Sequence, residues 1–229
     1  MKNDKKLIAD IIQWDINSWK YAIDFWESKC NFNSSMNALE LGGRQGGLSL
    51  WLALKGIKTI CSDLNDTEKT ALPLHLKHNL NHLISYHDIN ATTIPYKEQF
   101  DIIVFKSILG GIGYGNNKNA QEQTFNSIYN ALKPGGKLLF AENLAASPFH
   151  QFFRKKFVKW GSEWRYPKLE ELEQWLTNFS KVELECKGVW ATFGRSEKQR
   201  NLLSAFDKTI FDYVTPKHHR YIVFAVAEK

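Results

Sequence analysis

The chain has 229 residues, 43% hydrophobic and 14% aromatic, with a formal net charge of +6; this supports a sizeable core and excludes a disordered or low-complexity chain. Its three cysteines, Cys30, Cys61 and Cys186, form neither a paired framework nor a CxxC metal spacing, which points to thiols in a reducing compartment. Charge is uneven: residues 1–145 carry 15 Lys and Arg against 14 Asp and Glu, and residues 146–229 carry 15 against 10.

The opening stretch has Asp10 inside its only early apolar run, too broken for a secretory signal, and nothing downstream approaches the ~20 apolar residues of a membrane span. The expectation is a cytoplasmic protein without a transmembrane segment. Apolar residues at helical spacing from Leu7 to Trp26 predict two N-terminal helices within 1–35, with a kink and a cap at Asp15, Asn17 or Ser18. The pattern then alternates. "MNALEL" reads as a buried strand and "GGLSLWLALKG" as a helix stopped by Gly56. "IKTICSD" is a second strand, and "NDTEKTALPLHLKHNL" a helix that Pro73 should bend or start late. "HLISYHD" and "FDIIVFKS" are strands, the latter apolar on both faces as a central parallel strand is. "NAQEQTFNSIYNALKPGG" is a helix closed by Pro-Gly-Gly, and "KLLFAEN" a fifth strand. This rhythm predicts an α/β, doubly wound sheet.

Beyond Asn143 the rhythm breaks. "SPFHQFFRKKFVKW" and "PKLEELEQWLTNF" read as helices and "SKVELEC" as a strand. "SEKQRNLLSAFDKTIFDYV" is a long helix capped by Ser196, and "HRYIVFAVAEK" the last strand. No linker or repeat is visible, so 1–229 is expected to form one domain. It comprises helices over 1–35, a cofactor half over 36–143, and substrate-side helices with the final strands over 144–229.

Four of the six residues from Gly42 to Gly47 are glycine. Between a first strand and a first helix, such a turn lies at the carboxyl edge of the sheet, where bare backbone and helix N–H groups meet ligands. Asp63 ends the second strand 21 positions after Gly42, close to the ~20 of a nucleoside-binding unit, and can accept from both ribose hydroxyls. Two cofactors remain open at this point. Gly42, Arg44 and Gly47 fall on the GxGxxG spacing of a dinucleotide site, but arginine replaces the glycine that admits the pyrophosphate. S-adenosylmethionine (SAM) has no pyrophosphate, and its carboxylate welcomes a cation.

"LELGGRQGG" resembles the first motif of the class I (Rossmann-like) SAM-dependent methyltransferases of small-molecule type, an acidic residue followed by xGxGxG. Glu40, Gly42 and Gly46 match, and Arg44 replaces the middle glycine. The resemblance continues through "CSDL", "HDIN", "FDIIVFKSIL" and "LKPGGKLLFAEN", covering residues 38–143. It implies a seven-stranded, mostly parallel sheet with an antiparallel strand near the C-terminus, beside the N-terminal helical extension. It also implies SAM as cofactor and S-adenosylhomocysteine as product. The implied cofactor residues are Glu40, Gly42, Gly43, Arg44, Gly46, Asp63 and Leu64, then Asp88 for the adenine amino group with the Ile89 main-chain N–H beside it. Lys106 and Ser107 fall where the methyl group is presented. For Arg44, the sharper expectation is a guanidinium paired with the methionyl carboxylate, and the plainer one an outward-pointing side chain.

Acceptor-pocket candidates are Tyr114 on the second glycine-rich loop "GGIGYGNN", Glu142 and Asn143 ending the fifth strand, His150 as the histidine placed for a general base, and Arg165 in "EWRYP". No catalytic residue is assigned. Displacement at a sulfonium-activated methyl needs alignment and water exclusion, and a base only for a poor nucleophile such as a hydroxyl. His75, His78 and His82 have helical spacing without an acidic or cysteine partner at ligand spacing, which predicts an exposed polar face and no metal site. The stretch 148–160 mixes five aromatic with four basic residues. It reads as a lid over the acceptor, a core-packing helix with a solvated basic face, or a patch for anionic lipid or nucleic acid.

Missing motifs narrow the acceptor. The fourth strand does not end in Asn/Asp-Pro-Pro-aromatic, no Pro-Cys or Thr-Cys dipeptide exists, and "FKS" lacks the aspartate of a magnesium-dependent catechol-type site. The expectation is a small-molecule or glycan-type acceptor methylated on oxygen or nitrogen. RNA methylation by the basic C-terminal half, nicotinamide-dependent oxidoreduction and non-catalytic SAM binding are the alternatives, and peripheral membrane contact stays open.

Overall fold

The structure, a computed structural model, describes residues 4–157 and 163–229. Its strands are β1 (Asn37–Leu41), β2 (Lys58–Asp63), β3 (Ile84–Asp88), β4 (Phe100–Lys106), β5 (Leu132–Asn143), β6 (Lys181–Lys187) and β7 (Ile222–Glu228). They form one sheet in the order β3-β2-β1-β4-β5-β7-β6. Pairs among β1 to β5 are parallel, and β7 runs antiparallel to β5 and β6. The doubly wound, mostly parallel sheet with a reversed strand near the C-terminus thus matches the expectation. From β1 the chain winds outward to β2 and β3, and from β4 it winds the other way. That reversal opens a crevice at the carboxyl ends of β1 and β4, where ligands of such sheets bind.

The helices are α1 (Lys5–Ile12), α2 (Ile16–Lys29), α3 (Gly47–Ala53), α4 (Thr67–Lys77), α5 (Leu109–Ile112), α6 (Lys118–Ala131), α7 (Pro148–Phe157), α8 (Leu169–Trp175) and α9 (Glu197–Phe206). Alternate residues of each central strand feed two cores. Ile103 and Phe105 of β4 and Leu138 and Phe140 of β5 pack with α6 and α8 through Phe125, Leu172 and Trp175. Ile102, Val104, Leu139 and Ala141 pack on the other face with α1, α2 and α3 through Ile12, Trp26 and Trp51. This is why β4 and β5 are apolar throughout: period-2 side chains meet a helix layer on each side. Each such fully buried Ile, Leu, Val or Phe side chain contributes roughly 1.5–3 kcal/mol. Trp26 packs on Trp51 with centroids 5.6 Å apart and donates its indole N–H to the Ala225 carbonyl at 3.0 Å, so its one polar atom is satisfied.

Several local features differ from expectation. Pro73 does not start α4 late: the helix begins at Thr67 and Pro73 sits inside it on an exposed side, where water can take the carbonyl its missing N–H leaves. α6 ends at Ala131, and the Pro-Gly-Gly lies within β5, where the β4–β5 register shifts. Asp15 precedes α2 at φ 45° without capping it by its side chain; its carboxylate takes the Ser18 hydroxyl instead. Ser196 does cap α9, accepting from the Gln199 N–H. Residues 158–160 of the aromatic-basic stretch lie outside the described residues.

Candidate active site

The glycine turn joins β1 to α3. Glu40, at the end of β1, is turned beneath it and is 3% exposed. Its carboxylate accepts from the N–H groups of Leu48 at 3.1 Å and Ser49 at 2.7 Å, and from the Ser49 hydroxyl. Those are the second and third residues of α3, so a carboxylate from another strand does the work of an N-cap and faces the positive end of the helix. Burial pushes Glu40 up to about 7, against the pull of these bonds.

Protein neighbours account for the bare backbone. A side chain at Gly42 would stand 2.4 Å from Ile108, at Gly43 3.0 Å from the Glu40 carboxyl carbon, and at Gly46 2.5 Å from the His75 ring. At Gly47 it would stand 2.1 Å from the Ile11 carbonyl oxygen. Gly42 and Gly46 also take positive φ, at 62° and 73°. His75 is therefore no member of an exposed polar face. It is fully buried, with Nε2 2.8 Å from the Gly46 carbonyl and Nδ1 2.9 Å from the Tyr86 hydroxyl.

Asp63 ends β2 beside this turn. One carboxylate oxygen accepts from the Arg44 N–H at 2.9 Å and the other from the Leu64 N–H at 2.7 Å. Each oxygen keeps a lone pair for a further donor. The Arg44 side chain is exposed, and its φ of 49° is one that L-residues rarely adopt. Asp88 is the register partner of Asp63 on β3. One of its oxygens accepts from the Thr67 hydroxyl at 2.7 Å and the Thr67 N–H at 3.0 Å, which holds the carboxyl below its usual range. The Ile89 N–H, expected beside an adenine, donates to the Asp63 carbonyl at 2.7 Å instead. Leu64 is 60% exposed next to them.

Lys106 ends β4 and points towards the N-terminal helices. Its ammonium donates to the Ile12 carbonyl at 2.8 Å and lies 4.6 Å from the Trp14 ring centroid and 5.2 Å from that of Trp19. Burial brings it down to about 7; the carboxylates of Glu40, Asp15 and Glu142 oppose that shift and Arg44 reinforces it. Ser107 follows at φ 58° and accepts from the Asn143 amide at 3.0 Å. Glu142 is 1% exposed, accepts from the Leu109 and Asn143 N–H groups at 2.7 Å each, and is pushed up to about 7 by burial. Lys106, Ser107, Glu142 and Asn143 thus gather at the adjoining ends of β4 and β5.

The remaining acceptor-side candidates are placed differently. Tyr114 is 58% exposed. His150 is buried with both ring nitrogens engaged, Nδ1 by Ser147 at 2.6 Å and Nε2 by the Val189 carbonyl at 2.7 Å, so as placed it has no nitrogen for an acceptor. Burial also lowers its pKa. Arg165 is clamped between Gln121 and Glu171 and secures the segment before α8. Sequence reasoning passed over Thr67, Ile12 and Trp14, none of which carries a local motif, and read His75 as exposed. Left-handed residues recur in the loops leaving β1, β2, β4 and β5, namely Arg44, Asp66, Ser107 and Ala146. Strain of this kind gathers at functional edges. Among the described residues, no group of three or more His, Cys, Asp or Glu side chains is placed to hold a metal ion, and no helix is long and apolar enough to cross a membrane.

No curated protein matches the sequence. The fold is similar to that of Haemonchus contortus phosphoethanolamine N-methyltransferase 2 in complex with phosphomonomethylethanolamine and S-adenosylhomocysteine, with TM-score 0.62 and 18% identity. That match covers 92% of this chain and 52% of the other, so the chain spans about half that protein's length. YcgJ from Bacillus subtilis gives TM-score 0.63 at 12% identity, covering 92% and 98% of the two chains. The [4+2]-cyclase SpnF gives 0.61 at 16%, covering 93% and 80%, so the shared sheet alone does not decide the reaction. A family model described as a methyltransferase domain matches residues 19–185, the greater part of the sequence. The chain belongs to that methyltransferase-domain family, with the class I Rossmann-like fold of SAM methyltransferases.

Proposed function

We propose that the protein, acting as one unit, transfers the methyl group of SAM to an oxygen or nitrogen of a small-molecule or glycan-type acceptor. The observation that carries this reading is Glu40 at the amino terminus of α3. In a dinucleotide site, helix N–H groups at that position hold the pyrophosphate. Here the Leu48 and Ser49 N–H groups are taken by a carboxylate, which removes the anchor of a nicotinamide cofactor. A nucleoside without a pyrophosphate fits the donor set that remains.

When bound, SAM supplies a methyl group on a positively charged sulfur, open to in-line displacement. Asp63 takes the ribose hydroxyls on its remaining lone pairs. Asp88 offers its second oxygen to the adenine amino group, and the Arg44 guanidinium pairs with the carboxylate end. Lys106 and Ser107 border the transferring methyl. Glu142, Asn143 and the loop bearing Tyr114 border the acceptor, while His150 and Arg165 support the walls.

Isothermal titration with S-adenosylhomocysteine and with NAD tests this. Two charged hydrogen bonds at ~1.5–3 kcal/mol each make Asp63→Ala weaken S-adenosylhomocysteine binding by at least about a hundredfold. Tighter binding of NAD, or unchanged affinity in the variant, removes the proposal.

A further inference from the structure

α9 continues through a π-turn over Asp207–Phe211 to Val214. Along this rod Leu202, Phe206, Ile210 and Tyr213 recur at intervals of four, four and three, one helical face, and all are exposed, Leu202 by 61% and Tyr213 by 80%. The inward residues lie one position later. Leu203 packs on the core, and Asp207 accepts from the Trp190 and Ala191 N–H groups at 2.9 Å. Ring contacts join this rod to α7: Phe149 lies 6.0 Å from Trp190, and Trp190 lies 5.7 Å from Phe211. α7 adds exposed Phe149 and Phe152. Six exposed large apolar side chains on two elements joined through Trp190 make a candidate contact face.

The charges around this surface identify the partner. Lys155 and Lys156 on α7, and Arg195, Lys198 and Lys208 on and beside α9, are all exposed. The described acidic side chains of the same segments turn inward: Asp207 as above, and Asp212 onto the Gly188 N–H at 2.7 Å. These two carboxylates are thus spent on backbone donors while the described cations face outward. Apolar side chains flanked by a cationic rim are complementary to the interface of an anionic bilayer, where rings enter the headgroup region and lysines meet lipid phosphates. We infer that α7 and α9 together dock this protein on an anionic membrane surface. The docking face is independent of the methyl-transfer reading. It follows β5 in the chain, so the loops leaving the acceptor side of the sheet lead into it.

The experiment is cosedimentation of the whole chain with vesicles of phosphatidylcholine alone and of phosphatidylcholine mixed with phosphatidylglycerol. Binding to the mixed vesicles only, weakening as salt rises, is expected. Each cation removed lowers partitioning about fivefold, so Lys155→Glu with Lys198→Glu lowers it at least about 25-fold. Ile210→Ser with Tyr213→Ser keeps every charge and lowers it at least about tenfold. All four positions are exposed, and circular dichroism confirms that the variants fold. Equal binding to both vesicles, no binding, or partitioning unmoved by the apolar pair overturns the inference. So does a dimer in sedimentation velocity that the apolar pair dissociates, because the face then belongs to a second copy.

Discussion

Glu40→Gln removes a charge from beneath the glycine turn and keeps the side chain's length. Burial raises this carboxyl from 4.5 to about 7, with the bonds from Ser49 and Leu48 opposing. A carboxyl whose folded pKa is raised binds its proton more tightly in the folded state. Its cost to stability is absent below the unfolded value, grows as pH rises through the window from 4.5 to about 7, and is complete above it. For that shift the cost accumulating between pH 5 and pH 8 is about 2–3 kcal/mol. Glutamine carries no such dependence, although its amide nitrogen faces N–H donors and adds a fixed penalty of about 1–3 kcal/mol. The variant should therefore gain about 2–3 kcal/mol relative to the wild type between pH 5 and pH 8, whatever the fixed penalty. Urea unfolding of both proteins at the two pH values measures this directly. A difference that stays constant, or that moves against the variant as pH rises, refutes the placement of a buried, readily protonated carboxyl under the turn.

Two further outcomes follow from the charges at the site. Arg44→Ala should weaken S-adenosylhomocysteine about tenfold or more in calorimetry, the loss of one exposed charge-assisted pair, and leave the melting temperature nearly unchanged because the side chain is exposed. Lys106→Met should raise the affinity for SAM relative to S-adenosylhomocysteine at pH 6 severalfold, since an ammonium bordering the transferring methyl repels the positively charged sulfur. The gain should fade at pH 8.5, where a lysine held at about 7 is already neutral; a ratio insensitive to pH would place Lys106 away from the sulfur.

The sheet was legible because β4 and β5 must be apolar on both faces, and because Gly-rich and acidic residues recur at strand ends. Asp63 and Glu40 stood out for the same reason, being carboxylates where strands stop beside a glycine turn. What Glu40 bonds to was not legible, since the α3 N–H groups become its partners only once the turn has folded back. The glycines invited a ligand explanation, yet their clearance is set by Ile108, His75 and Ile11. His75 meets Gly46 across 29 positions and Lys106 meets Ile12 across 94, distances at which no local pattern signals contact. His150 and Arg165 were chosen by chain position; the fold spends the nitrogens of one and the guanidinium of the other on neighbouring segments.

The N-terminal helices decide from which side an acceptor can come. α1 is tied down along its length. Asp10 pairs with Lys77 at 2.5 Å and lies 2.8 Å from the His78 ring, the Ile11 carbonyl abuts Gly47, and the Ile12 carbonyl receives Lys106. The carboxyl end of a helix carries partial negative charge, so α1 offers the buried ammonium a neutral acceptor. Trp14 and Trp19 then close the space around that ammonium. Under the proposed function, with this flank sealed, the acceptor is expected to reach the ends of β4 and β5 past Ser107, Asn143 and the loops that follow. The loop after Asn143 leads into the half of the chain that carries the positive excess, so the proposed acceptor is expected to be drawn in more readily if it is negatively charged or presented at a negatively charged surface.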